Sequence, residues 1–275
     1  MPDKSDARKQ IKRIKNLPTV PGIVAKISKM VENPETTPAD VGRLISQDQV
    51  LSAKVLRMAN SAFFGMSRQI SSITQALVIL GFDVVKGLVL TTSVFDMMKK
   101  SMDGLWEHSI GCAAASGVAA KVLGREDAEE VLIAGLLHDL GKVVLTLELP
   151  QETARVLELV RKKGISFYEA EKEILDFTHG DVGLWLAEHW NLPDILADPM
   201  HWHHQPEKAR LAPEQTAIVH LANIITHALG LGFSGDRFVP PLSPSACDML
   251  GLKPEQFGDI LNDLEPKLIN LQDYM

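Results

Sequence analysis

Residues 105–142 read LWEHSIGCAAASGVAAKVLGREDAEEVLIAGLLHDLGK, and this stretch decides the fold class. Its apolar residues recur three and four apart rather than in alternation, which predicts helix. One helix, rich in Ala and Gly and suited to close packing, runs from Leu105 to Leu123 and is stopped by Gly124. A second runs from about Asp127 to Leu140, with Gly141 as its stop. His138 follows Val131 and Ala134 at intervals of seven and four, so its imidazole shares their inward face. A histidine directed into a core needs a partner.

The same period extends in both directions. Toward the N-terminus, Arg8, Lys9, Lys12, Arg13 and Lys15 form the solvated side of a first helix whose apolar members are Ile11 and Ile14. Val41, Leu44, Ile45, Val50, Leu51, Val55, Leu56 and Met58 fit two short helices meeting near Ser46 to Gln49, and Asn60 to Gly65 reads as a turn. Ser71 and Ser72 cap a helix carrying Ile73, Ala76, Leu77 and Leu80, which Gly81 interrupts. The helix after it holds Val84, Val85, Leu88 and Val89 and ends at Lys99 and Lys100.

Toward the C-terminus, Thr178 and Asp181 make a capping box for a helix that ends before Asn191 and Pro193. Pro193 opens the next helix, and Pro213 opens another that runs to about Leu229. Five glycines and prolines between Gly232 and Pro244 predict a surface loop, after which a pair of short helices closes the chain. With aromatic residues scarce at 5% and no sustained alternation, the expected fold is all-α.

Composition bounds the function. Among 275 residues, 45% hydrophobic content is enough to fill a sizeable core. No apolar run approaches the roughly 20 residues that cross a bilayer, so no membrane span is expected. The N-terminus, with Asp3, Lys4, Asp6, Arg8 and Lys9, has no apolar secretory core, which predicts a cytoplasmic protein. Cys112 and Cys247 are too few for a disulfide framework or a thiolate metal site. A net charge of -7, from 28 Lys and Arg against 35 Asp and Glu, argues against nucleic acid as a partner.

The histidines carry the chemical signal. His108, the adjacent His138 and Asp139, His179, and the adjacent His203 and His204 each lie on or at the end of a different predicted helix, so four segments can converge on one pocket. Imidazole nitrogen with carboxylate oxygen suits a divalent metal such as iron, manganese, nickel or zinc, and one carboxylate can bridge two ions. Singly, each histidine is an ordinary core or surface residue, and it is the set that points to metal. Gly141 permits close backbone approach beside that pair, and Lys142 can reach a phosphate. His189 lies about 80° round the helix from His179 and is expected in solvent or at a cap. Trp202, beside His201, is read as core rather than a base-stacking platform. Walker and dinucleotide glycine loops are absent.

His138-Asp139-Leu140-Gly141-Lys142 resembles the signature of the HD superfamily of metal-dependent phosphohydrolases, with His108 matching its upstream histidine. The resemblance implies that His179, His203 and His204 match the added ligands of the two-metal branch that includes HD-GYP phosphodiesterases. Leu17-Pro18-Thr19-Val20-Pro21, Ile45-Ser46-Gln47-Asp48, Met58-Ala59-Asn60-Ser61-Ala62-Phe63-Phe64 and Ile73-Thr74-Gln75-Ala76-Leu77 are similar to HDOD proteins, over roughly residues 10 to 230.

Membership would imply a multi-helical HD-like bundle with an N-terminal helical lobe over 1–100. A metal-site lobe would follow over 101–230, with a C-terminal loop and short helices over 231–275 packing on the same unit. It would further imply a regulatory role in bacterial signal transduction through a signalling protein partner, and where such proteins often have degraded hydrolase residues this chain departs by keeping a divalent-metal site of His108, His138, Asp139, His179, His203 and His204. The alternative it implies is a metal-dependent phosphohydrolase acting on a nucleotide or other phosphoester, with Asp139 bridging two ions and Lys142 steadying phosphoryl oxygens.

The chain departs from the superfamily pattern where Asn223 stands in place of a final metal-binding aspartate, and a neutral amide holds a dication less well. His220 and His227, a turn to either side of it, are expected to face the same cleft, His220 as a core or supporting residue. Gln205 and Pro206 follow His204 where HD-GYP proteins carry an acidic residue and Gly-Tyr-Pro, so specificity for cyclic di-GMP is not implied.

Overall fold

Side-chain caps at Thr37, Ser72, Ser166 and Thr178 start four of the helices in the computed structural model, which describes residues 22–60, 64 and 69–271. The basic first helix with Ile11 and Ile14, the Leu17 to Pro21 motif and most of the turn after Asn60 lie outside the described residues. Helices α1 (Gly22–Val31), α2 (Pro38–Ser46), α3 (Gln49–Ala59) and α4 (Ile73–Leu80) form the first group. Thr37 and Asp40 make a capping box for α2, with Pro38 at its first position. The Ser72 hydroxyl accepts the Gln75 N–H to start α4. The break at Ser46 to Gln49 and the end of α4 at Gly81 fall where the sequence puts them.

Helix α5 (Phe82–Ser101) connects this group to the rest, packing on α6 (Leu105–Val122), α7 (Ala128–Leu137) and α8 (Leu140–Glu148) as well as on α1, α3 and α4. The Lys86 ammonium crosses to the Asn191 carbonyl oxygen at 2.6 Å and ties the two parts together. Helix α6 is buried on every side from Leu105 to Ala120 apart from Glu107, as expected of a helix that is apolar all round. Its small residues allow close approach: Gly117 lies against Leu132, and Gly135 of α7 against Ser116.

Helices α9 (Pro150–Lys163) and α10 (Phe167–Leu175) pack on each other, and α11 (His179–His189) pairs with α12 (Asp194–Trp202). Helix α13 (Pro213–Ala228) then returns along α6 and α7, followed by α14 (Pro244–Leu250) and α15 (Pro254–Leu271), which packs on α6. Among the described residues there is no strand, and no helix is long and apolar enough to cross a membrane. Cys112 and Cys247 are both free.

Four expectations change. Gly141 does not end a helix: α7 ends at Leu137, the chain turns through His138 and Asp139, and Gly141 lies in the first turn of α8. A side chain there would collide with the His179 carbonyl oxygen, so the glycine serves packing between α8 and α11. Helices α8, α9 and α10 fill a stretch to which the sequence reading assigned no element. Pro193 is the residue before α12 rather than its first. The closing pair is unequal, because α15 is a full 18 residues long with Ile260 and Leu264 buried.

Candidate metal centre

Asp139 stands at the turn between α7 and α8, and the ends of several helices converge on its two carboxylate oxygens. Around Oδ1 lie His179 Nε2 at 3.3 Å and His203 Nε2 at 3.6 Å. Around Oδ2 lie His138 Nε2 at 3.3 Å, His108 Nε2 at 3.7 Å and the Lys142 ammonium at 2.8 Å. The ligating atoms fall into two sets that share Asp139: one adds His179, His203 and His204, and the other adds His108 and His138. His108, His138, Asp139, His179 and His203 are all buried, as is Lys142. His204 is partly exposed at the rim.

Local structure fixes each ring. The Thr178 and Asp181 capping box places His179 at the first position of α11. Its Nδ1 lies 2.6 Å from Glu171 Oε2, which also accepts the His179 backbone N–H at 3.1 Å. A carboxylate only accepts, so that Nδ1 carries the proton and Nε2 presents a lone pair. His203 Nδ1 faces the Pro199 carbonyl at 2.9 Å and His138 Nδ1 the Gly135 carbonyl at 2.7 Å, so both rings are oriented in the same sense.

The consequence is a surplus of acceptors. His179 Nε2 is 3.2 Å from His203 Nε2 and 3.1 Å from His204 Nε2, and the first two of these nitrogens are both lone pairs. His108 Nε2, His138 Nε2 and Asp139 Oδ1 have no hydrogen-bond partner although all are buried. Acceptors facing one another in a dry interior repel unless a cation lies among them. The donor set therefore fits a divalent metal, with nitrogen and carboxylate oxygen of the kind borderline cations take.

Without an ion, electrostatics divide the rings, keeping three of them uncharged and charging His138, which a metal would have to deprotonate. Burial pushes His108, His203 and His204 well below the ordinary histidine value, leaving them neutral. Burial opposes charge on His138 too, yet the adjoining Asp139 carboxylate raises it to about 10. Asp139 is held well below the carboxylate range, against its burial, by His138 and Lys142.

All six metal-site residues named from sequence, and Lys142, thus meet. His220 does not join them as a ligand: its Nδ1 donates to the His203 carbonyl at 2.7 Å and its Nε2 accepts the Ser243 N–H at 2.9 Å, so both nitrogens are occupied. Asn223 is buried one turn further along α13, with an unpartnered Oδ1. His227, another turn on, brings its ring centroid to 4.8 Å from that of His108. His189 is exposed and stacked on Trp185. Trp202 is only partly buried, with the Lys208 ammonium 5.5 Å from its ring, which corrects its reading as core.

Three residues were missed. Glu171 is fully buried and orients His179. Tyr168 stacks on His204 at 4.7 Å and bonds Gln205 Oε1 at 2.7 Å, forming the outer wall. Asp236 accepts the Phe167 N–H at 2.5 Å, and the Phe233 N–H donates to the Gly104 carbonyl at 2.9 Å, so the loop after Gly230 lies against the His108 side of the centre. Glu171 had a signal in the sequence: with Phe167 and Ala170 it occupies the buried face of α10, a carboxylate on an apolar stripe.

Comparison with known proteins agrees with this architecture. The HDOD domain family matches residues 17–206. An uncharacterised protein of Treponema pallidum (strain Nichols) is 30% identical over 200 residues, covering 70% of this chain and 38% of that protein, so the chain spans well under half the length of that curated relative. The crystal structure of an HDOD domain protein of unknown function from Geobacter sulfurreducens shares 31% identity and a TM-score of 0.70, over 97% of this chain and 92% of that one. A Shewanella amazonensis protein provisionally named a phosphohydrolase has a TM-score of 0.69 at 24% identity, covering 92% of each chain, a likeness that carries the fold alone.

Proposed function

Because this chain belongs to the HDOD family, we propose that it is a regulatory module of bacterial signal transduction, built around a buried divalent-metal centre and acting through a signalling protein partner. One observation carries the reading: lone pairs that only a cation reconciles face one another in an interior closed to solvent, where the atoms nearest Asp139 belong to side chains at most 2% exposed. Asp139 Oδ1, His179, His203 and His204 would hold the ion, as three nitrogens and an oxygen suited to zinc, iron, manganese or nickel. A metal there joins α8, α11 and the end of α12, so its gain or loss changes how firmly these helices are held.

The second reading, a phosphohydrolase acting on a nucleotide or other phosphoester, has its own supporting observation in Asp139, which offers its second oxygen to His108 and His138. A bound dication would acidify water and polarise a phosphoryl oxygen. This chain's own residues speak against easy access. Lys142, the group able to steady a phosphate, is buried on Asp139 with its ammonium 5.3 Å from the Phe167 ring, and Tyr168 covers His204.

Purification without chelator, followed by metal analysis and assays on phosphomonoester, nucleotide and cyclic-dinucleotide substrates, separates the two. Retained metal without turnover is expected. Metal-dependent turnover that is lost in His138→Ala and Asp139→Ala would establish the hydrolase instead.

A further inference from the structure

The Oδ2 side of Asp139 already contains a cation of the chain's own. Lys142 is three residues from Asp139 in the first turn of α8, its N–H donates to the Asp139 carbonyl at 2.9 Å, and its ammonium donates to Oδ2 at 2.8 Å. One turn of helix therefore makes the pair with no help from distant parts of the fold. Oδ2 is also the oxygen that His108 and His138 face, at 3.7 and 3.3 Å. We infer that Lys142 is a built-in cation that takes the place of a second metal ion between Asp139, His108 and His138, so the centre binds one dication and not two. The inference rests on the metal reading proposed above.

Three features favour the ammonium over an ion on that side. First, charge: the buried groups nearest the centre are two carboxylates, Asp139 and Glu171, against the one ammonium of Lys142. One dication leaves the group net positive, and a second beside it would be repelled by both the first and Lys142 at short range in a weakly screening interior. Second, no carboxylate besides the shared Asp139 comes within common ligand reach of His108 and His138: buried Asp236 stands beyond them, 4.0 Å from His227, and Asn223 on the facing helix is neutral. Third, Lys142 has no route outward: Phe167 lies over it, and Gly235 is packed so tightly on the Phe167 ring that a side chain there would collide with it.

Zinc counting tests this directly. Purified full-length protein, and Lys142→Met and Lys142→Gln variants checked for unchanged helicity by circular dichroism, are saturated with Zn2+, desalted and analysed for metal per chain. The wild type is expected to retain about one ion and the variants about two, because removing the ammonium frees Oδ2 and leaves room for an ion among it, His108 and His138. A wild type that retains two ions, or folded variants that still hold one, overturns the inference while the metal reading stands. A wild type that holds none overturns both. Should both variants fail to fold, the wild-type number alone decides, one ion supporting the inference and two rejecting it.

Discussion

Replacing Glu171 by glutamine keeps the shape of the side chain and removes its charge. Glu171 Oε2 holds the His179 ring through Nδ1 and the same residue's backbone N–H, so the amide would loosen the tautomer that aims Nε2 at the other ligands. Losing such an outer partner weakens metal affinity by about 10 to 100 fold. Zinc titration of Glu171→Gln should show that loss with helicity unchanged, whereas His189→Ala, on an exposed ring, should titrate as wild type. Equal affinity in the two variants would mean that Glu171 only fills space. The histidines were legible because they form an ordered series around a recognisable string, and Thr178 and Asp181 announced the cap that aims His179. Glu171 was not, because an acidic residue between Ala170 and Lys172 looks like helix surface until the helix it sits on is identified. His220 was read as a core or supporting residue and is one, but what occupies its Nε2 was not legible, because the Ser243 N–H arrives from a loop 23 residues away.

Among the elements, the contact of α8 with α11 positions the centre, and Gly141 is where they touch. Gly141→Ala would drive a methyl group into the His179 carbonyl oxygen and come within 3.1 Å of the Gly183 nitrogen, separating Asp139 from His179. The expected cost is about 1 to 3 kcal/mol of stability by urea unfolding, with zinc affinity lowered as well. Gly258→Ala in α15 is the contrast, since its methyl group meets nothing within 4 Å and should stabilise by up to about 1 kcal/mol. If the two variants shift stability alike, close packing at Gly141 is not what holds the helix ends. The sequence marks Gly141 as unusual, yet a glycine that stops a helix and one that lets two helices meet look the same in one dimension. Helix α10 was legible in principle, because Ser166 and Glu169 repeat the capping box seen at Thr178 and Asp181.

For the whole molecule, the same buried imidazoles set how stability depends on pH. In metal-free protein, burial holds His108 and His203 well below 6.5 and lowers His227 to about 4, so the unfolded chain takes up these protons first. Their contribution is present above pH 6.5 and is lost as pH falls from there toward the folded values, at about 1.4 kcal/mol per pH unit for each group. His138 has the opposite sign. Raised to about 10 by Asp139 against its burial, it stabilises fully below 6.5 and loses that contribution as pH rises to 10, so chelated protein should be most stable near neutrality. Saturating zinc adds a margin of about 4 kcal/mol at a thousandfold excess over its dissociation constant, because the unfolded chain has no assembled site. Protons compete for the same nitrogens, but burial keeps them off His203 and His204 until well below pH 6.5, so that margin should hold from pH 7.5 to 6.5 and shrink only as pH falls toward the lowered folded values. Thermal melts of chelated and zinc-loaded protein at pH 7.5, 6.5 and 5.5 check this. A gap that already narrows between pH 7.5 and 6.5 would mean the zinc sits on ordinary exposed imidazoles and not on these buried ones, and the surplus of lone pairs around Asp139 would need a different cation.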